Sequence, residues 1–165
     1  MFVLGIDPGL SRCGYGAVES SSGASRAVAA GVLTTPPSDP LPSRLASLHD
    51  EITNLLAELR PDAVAVERLF FQVNARTAMS VGQASGVVLA AAAKAGCEVA
   101  QYTPNEVKQA VAGYGSAPKE QVQRMVQSLL GLVERPKPAD AADALALALC
   151  HLASAGLRAR VEAST

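Results

Sequence analysis

The stretch Phe2-Val3-Leu4-Gly5-Ile6-Asp7-Pro8-Gly9 decides how the chain folds. Residues 2–6 are apolar on both faces of a strand, the pattern of a strand covered on both sides. Asp7 closes the run and Pro8-Gly9 turns the chain away. An acid at the end of a buried strand is costly unless something neutralises it, and a divalent cation does so. The arrangement recurs at Ala63-Val64-Ala65-Val66, another apolar run closed by an acid, Glu67.

Outward from that first strand, residues 13–19 are small and β-prone and are expected to pair back as a hairpin. A turn at Ser20-Ser21-Ser22-Gly23 leads to a third strand near 26–34. After the Pro-rich loop at Pro36, Pro37, Pro40 and Pro42, Leu45, Leu48, Ile52, Leu55, Leu56 and Leu59 recur at helical spacing, which predicts a helix over 43–60. A fourth strand at 63–67, a helix of small residues over 75–95 and a fifth strand at 98–102 follow. Thr103-Pro104-Asn105-Glu106 has the form of a capping box with Pro at the first helical position. Further helices are expected at 118–130 and 140–155. Together these give one α/β domain over 1–155, built on a five-stranded mixed sheet flanked by helices, with a frayed tail over 156–165.

A chain of 165 residues that is 49% hydrophobic has enough apolar material for one core. Aromatics are only 4%, so Ala, Val and Leu must build it. A net charge of −1 gives no global sign of nucleic-acid binding, although a local excess of two positive charges lies between 103 and 138. Cys13, Cys97 and Cys150 are odd in number and lack metal-site spacing, which argues against a disulfide framework or zinc and for a reducing cytoplasm. The N-terminus lacks the pattern of a signal peptide, and Gly86 to Ala95, read as the most apolar helical stretch, is too short to span a bilayer.

Asp140 and Asp143 stand three apart at the start of an expected helix, on one face of it. Helix capping would also favour an Asp there, and turn chemistry would favour Asp7 before Pro-Gly. Glu67 has no such explanation, since Glu is a poor strand residue. Four acids from two strand ends and one helix resemble a ligand set for two Mg²⁺ ions, which sit about 3.5–4 Å apart and clamp the attacking and leaving oxygens of a phosphodiester. Hard oxygen donors favour Mg²⁺ or Mn²⁺ over zinc. His49, beside Asp50 and Glu51, reads as solvated. His151 lies roughly 16 Å along the helix from Asp140, too far to share an ion.

These residues carry a resemblance. Gly5-Ile6-Asp7-Pro8-Gly9-Leu10 with Gly14-Tyr15-Gly16, Val66-Glu67 with Phe70-Phe71 and Asn74, and Gly82-Gln83-Ala84-Ser85-Gly86 resemble the RuvC family of Holliday-junction resolvases. So do Val107-Lys108-Gln109, Gly113-Tyr114-Gly115-Ser116-Ala117 with Lys119, and Asp140-Ala141-Ala142-Asp143-Ala144-Leu145-Ala146. The resemblance implies a ribonuclease H-like fold, a homodimer, and Mg²⁺-dependent nicking of a four-way DNA junction. It also implies a branch-migration motor of the RuvA and RuvB type as partner. Asp7, Glu67, Asp140 and Asp143 match the family's catalytic acids. Lys108 and Lys119 match residues facing DNA, and Phe70 matches an aromatic held against unstacked junction bases. Phe71, Asn74 and Arg76 are further candidates for DNA contact. Gly82 and Gly86 would admit a second helix, within the chain or across a dimer.

Two rivals stand beside this reading. A nucleotide-binding domain of the sugar-kinase and actin type also opens with a strand, an Asp and a Gly-rich hairpin. That reading leaves Asp140, Asp143 and Phe70-Phe71 without a role, and the chain has length for only one of two lobes. A module that binds branched DNA without cutting it would keep the lysines and phenylalanines but has no need of four acids.

Overall fold

Strand β1 (Phe2–Asp7) lies in the middle of a five-stranded sheet, where a run apolar on both faces must go. The computed structural model describes residues 1–68 and 75–162, with 75, 76 and 158–162 as backbone alone. On one side β2 (Arg12–Ser21) and β3 (Ala24–Thr34) run antiparallel, with Gly5 paired to Gly16 and Asp7 to Gly14. On the other side β4 (Ala63–Glu67) and β5 (Glu98–Tyr102) run parallel to β1, giving the order β3-β2-β1-β4-β5. Helices α1 (Leu41–Leu59) and α2 (Ala75–Lys94) cover one face. Helices α3 (Pro104–Ala112), α4 (Lys119–Leu129) and α5 (Ala139–Glu162) cover the other. The expected α/β architecture with a mixed sheet is the one observed.

Strand alternation sorts the side chains between two cores. Leu4, Ile6, Val64 and Val66 pack with Leu48, Ile52 and Leu56 of α1 and Ala84 and Val88 of α2. Val3, Ala63 and Ala65 pack with Leu145, Ala148 and Leu149 of α5 and with Val107 and Val122. Asp7 continues the series Val3-Gly5, and Glu67 continues Ala63-Ala65. Both acids therefore emerge on the face that carries α5.

Helix α5 rests directly on the backbone of β1 and β2. A Cβ on Gly5 would stand 1.9 Å from the carbonyl oxygen of Ala144, and one on Gly14 would stand 2.2 Å from that of Asp140. Only residues without side chains permit that approach. The helix answers with small residues, since Ala141, Ala144 and Ala148 are fully buried beneath it. The same contact sets Asp140 over Gly14, the cross-strand neighbour of Asp7.

The structure corrects several boundaries. Helix α1 begins at Leu41, two residues before the expected start, because Pro42 fits a first helical turn, where no N–H is required. Helix α5 continues to Glu162, past residue 156 where the tail was expected to begin. Over Ala139–Leu157 it is also the one described helix long and apolar enough to cross a membrane, so Gly86 to Ala95 is not the most apolar stretch. Its middle is committed to the domain core, where Leu145, Leu147 and Cys150 are buried, while Leu157 near its end is exposed. His151 is a core residue of this helix: fully buried, its Nδ1 lies 2.9 Å from the Tyr102 hydroxyl.

Thr103 caps α3 as the spacing predicts. Its Oγ1 accepts the Glu106 N–H at 3.2 Å, and its own N–H donates to Glu106 Oε2 at 2.7 Å. Thr103→Ala should lower unfolding stability by about 1 kcal/mol, measured by urea denaturation. A loss under a few tenths would mean that packing of Val107 and Val111 alone holds the helix.

Candidate active site

Asp7 and Glu67 end neighbouring parallel strands one step beyond the pair Ile6 and Val66, so their backbones lie about 5 Å apart. Asp140 and Asp143 occupy the first turn and a half of α5, whose height above the sheet is fixed by the glycines of β1 and β2. Two strand ends and one helix start thus bring all four expected acids to the same edge of the sheet.

Their electrostatics register the crowding. Burial pushes the Asp7 carboxyl from an ordinary 3.8 up to about 7. The charges of Glu67, Asp143 and Asp140 push the same way, and Lys119 opposes them. Glu67 is raised as well, by burial first and then by Asp143, with Lys119 and Lys108 opposing. A buried acid raised by its neighbours asks for a positive charge among them.

Part of that charge comes from the protein. Lys119 Nζ lies 2.7 Å from Asp143 Oδ2. The hydrogen bond to Asp143 raises the Lys119 ammonium, against burial. Arg12 binds Asp140 Oδ2 through Nε at 3.0 Å and Nη2 at 2.8 Å. With these two carboxylates turned onto cationic side chains, no three of the described acids, histidines or cysteines stand close enough to ligate one ion. The donor set fits a hard cation in its chemistry, being all carboxylate oxygen, and the ion pairs hold two of its members aside.

Lys108 faces the same edge. It lines, with Glu67, Lys119 and Asp143, a cavity of about 210 Å³. It makes no ion pair among the described residues. The other basic residues of 103–138 contribute less than their number suggests, since Arg124 and Arg135 both lie on Glu120, at 2.8 and 3.2 Å. A larger cavity, about 700 Å³, lies at the opposite end of the sheet between the C-terminal ends of α1 and α2. It holds His49, Arg60, Lys94 and Cys97 and none of the acids, so size does not mark the chemistry here.

Phe70, Phe71 and Asn74 lie outside the described residues, as does the Arg76 side chain, although the Arg76 backbone belongs to the first turn of α2. Arg12 escaped the sequence reading. It follows Asp7 by five residues at the head of a hairpin, and no spacing pattern marks it. The register that pairs Asp7 with Gly14 would have placed it near the acids.

A family model described as Crossover junction endodeoxyribonuclease RuvC matches residues 3–151. A relative of that name from Moorella thermoacetica is 55% identical over 160 residues, covering 97% of this chain and 96% of the relative. One from Salinispora arenicola is 55% identical over 165 residues, covering 99% of this chain and 94% of the relative. Among solved structures, Thermus thermophilus RuvC superposes with a TM-score of 0.87 at 43% identity, covering 95% of this chain and 96% of that one. The same protein in complex with a Holliday junction substrate gives 0.87 at 41% identity and the same coverage. The yeast mitochondrial Holliday junction resolvase Ydc2, at 16% identity, 92% of this chain and 78% of that one, shares the fold with a TM-score of 0.66. The ribonuclease H-like architecture implied by the sequence motifs is the one these proteins have in common. On a match that spans residues 3–151 and relatives more than half identical over nearly the whole chain, this protein belongs to the RuvC family of crossover junction endodeoxyribonucleases.

Proposed function

We propose that the chain resolves four-way DNA junctions in recombination and repair, and that Asp7, Glu67, Asp140 and Asp143 hold the divalent cations on which cleavage depends. The observation that carries the assignment of residues is the meeting of four acids at one edge of the sheet, where burial first, and then the charges of the other three, raise Asp7 to about 7. Two Mg²⁺ ions are the best-matched occupants, with Mn²⁺ as substitute; when bound, they supply an activated water and take up charge on the leaving 3′-oxygen. Asp7 and Glu67 provide the rigid part of the site, because both belong to strands inside the sheet. Asp140 and Asp143 approach from α5.

Lys108 and Lys119 flank the acids and would take backbone phosphates on either side of the cleaved bond, a task for which a flexible point charge suffices. Phe70 is assigned to an unstacked junction base by the sequence motif that contains it, with Phe71, Asn74 and Arg76 as neighbouring DNA contacts. Two symmetric cuts need two sites related by a two-fold axis, hence a homodimer. Exposed Met79 and Gly86, at which an added Cβ would meet nothing beyond its own stretch of helix among the described residues within 4 Å, leave α2 open to a second copy. A branch-migration motor as partner, and a cytoplasmic setting suited to three free cysteines, complete the reading.

The deciding experiment incubates the protein with a synthetic four-way junction in Mg²⁺ and in EDTA. Paired nicks only with Mg²⁺ are expected, and binding without nicks would reduce the chain to a junction-binding module. Lys108→Ala and Lys119→Ala should each weaken junction binding and lower the slope of log affinity against log salt by up to about one. Filter binding across a salt series measures this, and an unchanged slope would leave the lysines as solvated side chains.

A further inference from the structure

Arg12 is the charged residue of the site that the reaction outlined above does not use. Its guanidinium sets Nε at 3.0 Å and Nη2 at 2.8 Å on a single atom, Asp140 Oδ2. Its backbone is firmly held. Arg12 opens β2 in register with Thr34, and the Thr35 N–H donates to the Ser11 carbonyl at 3.3 Å. The buried Thr35 hydroxyl donates to the Leu10 carbonyl. Arg44 joins these together, donating from Nε to Thr35 Oγ1 at 2.9 Å and from Nη2 to Ser11 Oγ at 2.7 Å. The turn between Asp7 and Arg12 is therefore fixed from outside, and with it the origin of the Arg12 side chain.

A carboxylate oxygen that accepts two N–H groups has its lone pairs taken up and cannot offer them in full to a metal. The contact is also exchangeable, because the two side chains are 52% and 31% exposed and ion pairs so exposed to water are weak. Lys119 makes the equivalent contact to Asp143 on the other side of the site.

We propose that Arg12 is a positioning residue that stands in for a cation at Asp140, holding this carboxylate against β2 until a divalent ion takes it over. Arg12 thereby sets the cation concentration at which the site assembles, and its guanidinium becomes free at the rim when the ion enters. The inference rests on the assignment of Asp140 as a metal-holding acid.

Calorimetric titration of the full-length protein with Mn²⁺ tests it. Arg12→Ala should bind Mn²⁺ about 3- to 10-fold more tightly than the unaltered chain, with Arg12→Lys between the two. On an Asp140→Asn background, Arg12→Ala should change nothing, since the carboxylate it competes for is gone. Thermal unfolding should show Arg12→Ala less stable in EDTA, with the gap closing in saturating Mn²⁺. Equal or weaker Mn²⁺ binding by Arg12→Ala would overturn the proposal, for Arg12 would then support Asp140 and not compete for it. An Arg12→Ala effect that persists without Asp140 would overturn it too, as a general charge effect. Mn²⁺ binding that is absent, or indifferent to Asp7→Asn, would overturn the metal assignment itself and this inference with it.

Discussion

Asp7→Asn should give a folded protein that still binds a four-way junction but nicks it at least about 10³-fold more slowly, the equivalent of some 4 kcal/mol of lost transition-state stabilisation. The amide keeps the size of the carboxyl and removes the charge that a cation needs. A second consequence concerns stability. Because the folded Asp7 carboxyl titrates near 7 and the unfolded one near 3.8, the folded state holds a proton that the unfolded state gives up. Without metal, the contribution of this group is most favourable below pH 4. It is then lost as pH rises toward 7, by an amount on the order of a few kcal/mol.

Asn carries no such burden. In EDTA at pH 8, Asp7→Asn should be the more stable protein, and the difference should vanish near pH 4. Mg²⁺ should reverse the order at pH 8 by stabilising the unaltered protein alone. Denaturation at the two pH values, with and without Mg²⁺, reads all of this. Normal nicking by the variant, or a pH-independent gap between the two proteins, would remove Asp7 from the centre of the site.

Gly5→Ala, which makes the closest clash among the described glycines, should cost about 3 kcal/mol or more and lower the melting temperature by roughly 10 °C. The added methyl would meet the Ala144 carbonyl oxygen at 1.9 Å and the Ala148 nitrogen at 2.9 Å. Both are backbone atoms of α5, and no rotamer change can clear them. The helix would have to lift from the sheet, carrying Asp140 and Asp143 away from Asp7, so nicking should fall even at temperatures where the protein stays folded. Gly156→Ala on the same helix is the control. Among the described residues nothing beyond its own stretch of helix lies within 4 Å of the new methyl, and the change should raise stability by about 0.5–1 kcal/mol. Equal, small effects from the two substitutions would mean that α5 is not seated on the glycines.

Local pattern carried most of the fold. The apolar run ending at Glu67 and the short segment ending at Tyr102 matched β4 and β5 to the residue, and the Thr103 cap fixed the start of α3, because each depends on neighbours in sequence. The four acids were legible for the same reason, as polar residues where strand or helix patterning made them conspicuous. What sequence could not show depends on contacts between distant segments. The hairpin register and the seating of α5 on Gly14 together bring Arg12 to Asp140, 128 residues away. The local excess of two positive charges in 103–138 did not show which side chains pair, and only the structure sets Arg124 and Arg135 together on Glu120. Gly5 and Gly14 appeared only as parts of motifs, whereas their physical work is to receive the backbone of α5.

The order in which the acids occur along the chain has a consequence during synthesis. Asp7 and Glu67 leave the ribosome early, while α5, with the other two, comes after every strand of the sheet has been made. A nascent or prematurely terminated polypeptide lacking α5 therefore owns two of the four acids and a sheet face covered only by α3 and α4. If the four acids act together as proposed, a chain lacking α5 would have only half of the set that holds the cations, so the helix that finishes the core would also complete the site.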